Sequence, residues 1–450
     1  MNRTALENLN AWKEKPHRKP LVIRGARQVG KSWLVREFAQ TAGMDLFEIN
    51  FELDEDLAEC FKSKHPDQIL SLLELKRSQR IVPGSTVLFL DEIQSAPLVF
   101  ASLRYFYELM PDLHVIAAGS LLEFVLEKPN FSMPVGRIEY LYLGPMTFKE
   151  FLSGIGKDQL VQYMENFKLS DDLPMVIHNE FLHWLKLFLA VGGMPEAVRI
   201  YRDTRSLLEV DAVKQSILQT YRDDFNKYSP RANPVRLNRV FQRLPLMAGQ
   251  KVKYVNIDRT QKNEDLKKAL HLLELARVYY PVYHTSANGV PLKAQINEKF
   301  QKPLFLDVGL MMSACGMSYA DIQDADDADL VNSGPVCEQM IGQHLLYRHP
   351  SFQEPELFYW CREKRQASSE VDFVIHKGIR IIPVEVKAGK TGTLKSLHVF
   401  LKEKKYPEGV RFNIDLPAMH EVPFALPDTK GTFRLLSLPL YMVEELDRYI

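Results

Sequence analysis

The run Gly25-Ala26-Arg27-Gln28-Val29-Gly30-Lys31-Ser32 places two glycines, a lysine and a hydroxyl at the spacing G-x-x-x-x-G-K-S. That spacing serves one chemistry, the grip of a nucleoside triphosphate such as ATP. The glycines let the loop curl, so that backbone N–H groups from Gly25 to Trp33 and the start of a helix face phosphate oxygens. Lys31 is then placed for the β/γ-phosphates and Ser32 for Mg2+. A second group lies in TVLFLDEIQ, Thr86 to Gln94. Asp91 would hold the Mg2+ through water, and Glu92 would orient the attacking water. Ser120, after the apolar run Leu113 to Ala118, either senses the γ-phosphate or marks a strand-end turn. Arg137, in PVGRIEY, is a candidate to stabilise transition-state charge, in cis or from a neighbouring subunit. Arg27 has two open roles, structural or in contact with nucleotide.

A separate set of charged residues lies near the C-terminus: Glu338 in GPVCEQMIGQHLLYR, Asp372 in EVDFVI, and Glu385 with Lys387 in PVEVKAG. The acids have the chemistry to hold one or two Mg2+ ions, with Lys387 orienting water or countering charge that develops on phosphorus. The alternative is that Asp372 and Glu385 flank Lys387 in a hydrogen-bonded network that only fixes the fold. Glu-x-Lys in a strand is often a solvated edge.

These groups need particular elements to position them. Leu21 to Ile23 reads as a strand entering the glycine loop, with an amphipathic helix after it. Val87 to Leu90 is continuously apolar, as in a parallel strand buried on both faces. From Gly144 to about Ser229 apolar residues recur at three- and four-residue spacing, the pattern of a small helical lid. RLNRVFQRLPLMAG and DLKKALHLLELARVYY read as helices, and VYYPVYHTSANGVPLKAQI as two extended stretches around the turn signal Asn288-Gly289. Helix, helix and hairpin in that order predict a winged helix, and its setting is basic. Arg231 to Phe300 holds 13 Lys/Arg against five Asp/Glu, a net of +8 that suits phosphate contact with DNA or RNA, without a cluster fit to read base edges. Leu357 to Arg362, Glu370 to His376 and Ile379 to Ala388 read as strands, with Glu370 and Asp372 on one face and Val371, Phe373 and Ile375 on the other.

GARQVGKS, FLDEIQ, AAGSLLEF, the GR of PVGRIEY, GPMTFKEFL and VGGMPEAV occur in an order that resembles bacterial and archaeal AAA-type P-loop ATPases grouped near the STAND signalling NTPases, which carry a C-terminal domain of unknown function. Asp372 followed by Glu385-x-Lys387 resembles the PD-(D/E)XK nuclease fold, and Glu338 resembles the extra helical acid of resolvase-like members. The resemblance implies an α/β multidomain chain: an ATPase domain over 1–155, a helical lid over 156–230, a winged-helix-like domain over 231–312 and a nuclease-like α/β domain over 313–450. The two nucleotide motifs and the local positive charge predict an ATP-hydrolysing switch or motor acting on nucleic acid. The alternative is a signalling NTPase whose nuclease fold is inactive and binds a protein partner. Assembly into a homo-oligomer is compatible with either.

The 450-residue length calls for two to four domains. DIQDADDADL, Asp321 to Leu330, holds five aspartates and no base, as an acidic linker would. Cys60, Cys315, Cys337 and Cys361 lack zinc spacing and read as reduced thiols. The polar N-terminus and the absence of a membrane-length apolar run predict a cytoplasmic protein without membrane contact.

Overall fold

The computed structural model describes residues 3–126, 134–225, 233–319, 334–362, 369–387, 394–425 and 430–450, so the acidic segment Asp321 to Leu330 lies outside the described residues. The chain forms two compact units that do not follow chain order. One comprises 1–145 with 275–277 and 349–354; the other comprises 146–274, 278–348 and 355–450.

The first unit is built on five parallel strands, β1 (Leu21–Arg24), β2 (Asp45–Asn50), β3 (Thr86–Asp91), β4 (His114–Gly119) and β5 (Glu139–Tyr142), in the order β2-β3-β4-β1-β5. β3 and β4 are buried at every position, which explains their unbroken apolar runs. Phe47, Ile49, Leu88, Leu90, Phe100 and Phe106 join one core on this sheet. Because all five strands run the same way, their carboxyl ends form a single edge, where ligands of open α/β sheets bind. The loop after β1, Asp91 at the end of β3 and Ser120 after β4 all lie on that edge. β4 stands between β1 and β3, so Ser120 comes between the glycine loop and the acids.

The short segments 275–277 and 349–354 complete this unit. Arg277 donates to Glu123 at 3.0 Å and to Glu354 at 2.8 Å, and Arg24 Nε donates to Glu123 at 2.8 Å. Tyr142 N donates to the Ser351 carbonyl at 2.7 Å. Glu123 and Arg277 are both buried, so each removes the penalty the other would carry alone.

The second unit holds helices Phe148–Gly154, Asp158–Asn166, Met175–Val191, Pro195–Thr204 and Leu207–Asp224, where the helical lid was expected. It also holds an eight-stranded sheet: β6 (Tyr279–Thr285), β7 (Ile296–Phe305), β8 (Leu357–Cys361), β9 (Glu370–Lys377), β10 (Arg380–Val386), β11 (Glu408–Asn413), β12 (Ala418–Ala425) and β13 (Lys430–Pro439), ordered β12-β13-β11-β10-β9-β8-β6-β7. The expected hairpin forms as β6 and β7, but it is not a free wing. β6 pairs with β8 in parallel, so the hairpin continues the C-terminal sheet. β8, β9 and β10 make an antiparallel meander, and the helix Lys395–Lys404 then returns the chain to β11, parallel to β10. Phe358, Trp360, Val371, Val374, Phe400 and Leu401 form a core of this unit.

Candidate nucleotide site and carboxylate cluster

The glycine loop has the backbone its composition anticipates. Gly30 lies at φ 92° and opens the helix Lys31–Thr41, while Gln28 takes φ 63°, a conformation that costs a side-chain-bearing residue energy. A Cβ on Gly25 would overlap the Leu143 carbonyl oxygen. The buried Arg3 donates to the Val29 carbonyl at 3.1 Å and to that of Gly144 at 2.8 Å, bracing the loop from a part of the chain that sequence reasoning left unused. The helix buries Leu34, Val35, Phe38 and Ala39, which fixes its N-terminus against the sheet.

Lys31 is buried and donates to the carbonyls of Gly25 at 3.0 Å and Ala26 at 2.7 Å. Burial lowers its pKa to about 8, with Glu92 and Asp91 opposing that fall. Ser32 Oγ donates to Asp91 Oδ2 at 2.6 Å. Hence the two groups expected around Mg2+ already touch, although 59 residues separate them. Burial raises the Asp91 carboxyl, and the Ser32 hydrogen bond counters it. Hydroxyl and carboxylate oxygens are the hard donors Mg2+ takes, so Ser32 and Asp91 fit that ion. Ala26, Arg27 and Val29 complete the loop, with Arg27 3.7 Å from Glu52; Trp33 is the third residue past Gly30 and half-buried.

Glu92 stands at φ 49°, a left-handed conformation for a non-glycine residue. Gln94 Nε2 donates to its carboxylate at 2.6 Å and Ser120 Oγ approaches the same oxygen at 3.4 Å. A Cβ on Gly119 would overlap the Gln94 side chain, so β4 ends in glycine where that amide must pass. Strain at Glu92 and two polar contacts together set one carboxylate beside the loop. Arg137 lies elsewhere. Leu21 pairs with Glu139 in the parallel β1–β5 ladder, so Arg137 precedes the amino end of β5, whereas the loop follows the carboxyl end of β1. Its side chain is exposed and bonds Glu108 at 3.0 Å. Within this chain Arg137 is therefore not among the groups gathered at the loop.

In the second unit the C-terminal acids do converge. β9 and β10 pair antiparallel with Phe373 opposite Val384, which sets Asp372 beside Glu385; Asp372 Oδ2 accepts from Val386 N at 2.8 Å. Glu338 comes from the helix Gly334–Leu346. Glu385 is 3% exposed, so it is no solvated edge, and Lys387 reaches it at 2.5 Å. Burial pushes the Glu338 and Glu385 carboxyls upward, with the Asp372 charge adding to both.

Sequence reasoning missed the group at the centre. Lys302 of β7 is 2% exposed, and its Nζ stands 2.5 Å from Glu338, 3.1 Å from Glu370 and 3.8 Å from Asp372. The rings of Tyr359 and Phe373 lie 5.5 and 5.9 Å from the same ammonium. Burial works against its charge, but the three carboxylates more than offset it and hold the proton. Lys251 adds a second cation 3.0 Å from Glu370. The expected divalent ion at Glu338, Asp372 and Glu385 does not fit, because a fixed ammonium takes the space two of them face. Among the described residues, no group of three or more His, Cys, Asp or Glu is arranged to hold a metal ion.

A third feature is a cleft of about 800 Å3 lined by Arg239, Gln242, Arg243, Asn256, Asp258 and Arg259, among others. All three arginines are exposed, and Arg239 pairs with Asp258. Among the described residues no helix is long and apolar enough to cross a membrane.

A family model described as an AAA domain matches residues 17–152. Two models described as domains of unknown function match residues 182–321 (DUF8612) and 333–422 (DUF4143). No curated protein matches. Among solved structures, the chain is similar to the Walker-type ATPase of Pyrococcus abyssi, at 16% identity over 70% of this chain and 95% of that one, with a TM-score of 0.44. It is also similar to the Aeropyrum pernix ORC1 protein in complex with DNA, at 14% identity over 69% and 90% with a TM-score of 0.28. The Thermotoga maritima RuvB Holliday junction branch migration motor follows at 13% identity over 64% and 90%, with a TM-score of 0.31.

Proposed function

The chain carries an AAA-type P-loop ATPase domain, and from that premise we propose that it is an ATP-hydrolysing switch or motor that acts on nucleic acid. The observation that carries the hydrolytic part is the Ser32–Asp91 hydrogen bond of 2.6 Å beside a Glu92 carboxylate held by Gln94. Bound Mg2+ supplies positive charge that neutralises the phosphate oxygens. Ser32 and Asp91 would hold that ion, and Lys31 would exchange its loop carbonyls for β/γ-phosphate oxygens. Glu92 accepts a hydrogen bond from water and aims it in line with the terminal phosphorus. Ser120 sits close enough to that carboxylate to report whether the terminal phosphate is in place. Replacing Lys31 by Ala is expected to abolish both ATP binding and turnover. Glu92→Gln should retain binding and lose turnover by about 100-fold or more. Turnover unchanged in both variants would refute the assignment.

The nucleic-acid part rests on the basic segment and on the cleft with Arg239, Arg243 and Arg259. Three exposed arginines dominate its lining, beside Gln242 and Asn256, so contact with the phosphate backbone is the main mode that it favours. The order helix, β8, β9, β10, helix, β11 supports a PD-(D/E)XK-like reading of the C-terminal part. One observation favours the second reading, a signalling NTPase with an inactive nuclease fold that binds a partner: the Lys302 ammonium among the carboxylates. Binding of single- and double-stranded DNA and RNA, measured with and without ATP, separates the two; no binding under either condition leaves the second.

A further inference from the structure

The cluster of Glu338, Glu370, Asp372 and Glu385 cannot persist without cations, since packed carboxylates repel each other and pay heavily for burial. Its cations are covalent parts of the chain. Lys302 bridges Glu338 and Glu370, Lys251 holds the outer side of Glu370, and Lys387 holds Glu385. Tyr359, which is fully buried, and Phe373 give the Lys302 ammonium two ring faces, an environment suited to a monovalent nitrogen cation. A divalent ion wants six or more oxygens at close range and has no use for the rings.

We propose that Lys302 is the resident cation of this cluster, standing where a divalent ion would otherwise bind, so that the fold is assembled and kept in working shape without metal. The Glu338 helix, β7 and β9 are tied together through one nitrogen. Metal-dependent phosphodiester cleavage at Asp372 and Glu385 is thereby excluded in the native chain, because the ammonium and a bound divalent ion compete for the same oxygens. This inference goes beyond ATP hydrolysis and holds whether or not the chain touches nucleic acid.

The test uses the nucleotide-free full-length protein and Mn2+ as probe, with free Mn2+ followed by electron paramagnetic resonance. Wild type is expected to show no saturable Mn2+ binding that depends on Asp372 up to about 1 mM, the weak limit for carboxylate sites. Lys302→Met keeps an unbranched side chain one atom shorter and removes the charge; it should gain one Mn2+ site, which Lys302→Met with Asp372→Asn should lose. Wild-type binding that disappears in Asp372→Asn overturns the proposal, as does a folded Lys302→Met that gains no site. If Lys302→Met fails to fold in the absence of metal, its recovery of circular dichroism and a cooperative melt on adding Mn2+ supports the proposal, and failure to recover overturns it. Binding by Ser32 and Asp91 is told apart by its indifference to Asp372→Asn. A cleavage assay on the same proteins distinguishes the fold reading from this one: wild-type cleavage that needs Mn2+ and Asp372 overturns the inference while leaving the nuclease-like fold standing.

Discussion

In the proposed reaction Glu92 is the residue on which hydrolysis turns, and Gln94 and Ser120 hold its carboxylate. Gln94 contributes one hydrogen bond to a charged acceptor, worth about 1.5–3 kcal/mol. If that bond aims Glu92 only during the reaction, Gln94→Ala lowers kcat by roughly 10-fold or more and leaves the ATP dissociation constant unchanged. Steady-state kinetics beside an equilibrium binding titration checks this, and equal losses in both would assign Gln94 to nucleotide binding. The residues from Gly25 to Ser32 and the pair Asp91-Glu92 were legible because each is contiguous and its flanking apolar run names the element that carries it. Lys302 was not. Its partners Glu338, Glu370 and Asp372 come from a helix and a strand tens of residues later, and no spacing rule links a lysine in a half-exposed strand to them. Arg137 was legible as a type of residue, but its end of the strand is a property of the β1–β5 pairing alone.

At the scale of elements, the strands β8 to β10 were close to readable from their apolar runs and turn spacing, but the strict alternation in β9 was not: a register shift in the β8–β9 pairing puts Val371 with Val374 in one core, and Phe373 lies with Asp372 at Lys302. The hairpin β6–β7 was recognised as a hairpin. Its placement was not, because pairing of β6 with β8 joins segments more than 70 residues apart. The helix Gly334–Leu346 packs so closely that a Cβ on Gly342 would come within 2.7 Å of Leu304 and 2.8 Å of Phe373. Gly342→Ala should therefore cost about 1–3 kcal/mol in denaturant unfolding, through overpacking that outweighs the helix propensity of alanine. The same helix brings His344, whose Nε2 accepts from Phe148 N at 2.9 Å while Nδ1 faces the Met340 carbonyl at 2.8 Å. Burial lowers its pKa from 6.5 to about 4. The unfolded chain thus takes up a proton that the folded chain refuses. The His344 contribution to stability is whole above pH 6.5 and erodes as pH falls toward 4, by about 1.4 kcal/mol per pH unit at most. Unfolding curves at pH 7, 6 and 5 should show a shallower fall in His344→Gln than in wild type.

For the molecule as a whole, the formal charge is zero, so any affinity for a polyanion must come from local asymmetry. If the arginine cleft is the contact, log affinity for DNA or RNA falls linearly with log salt, and replacing Arg239, Arg243 and Arg259 by Ala reduces the slope by about 3 with little change in sequence preference. A flat response in wild type would sink the contact. The division of the chain has a practical consequence. Arg277 and Glu354 belong to the unit that carries the candidate nucleotide site, so a fragment stopping at residue 145 would lack the guanidinium that meets Glu123 and the Ser351 carbonyl that meets Tyr142 N. Such a fragment should express poorly or melt well below the full chain, and a single protease cut after it should leave the pieces associated. Evolution, likewise, could not shuffle this ATPase onto another protein by joining it at one end; its remaining parts would have to travel with it.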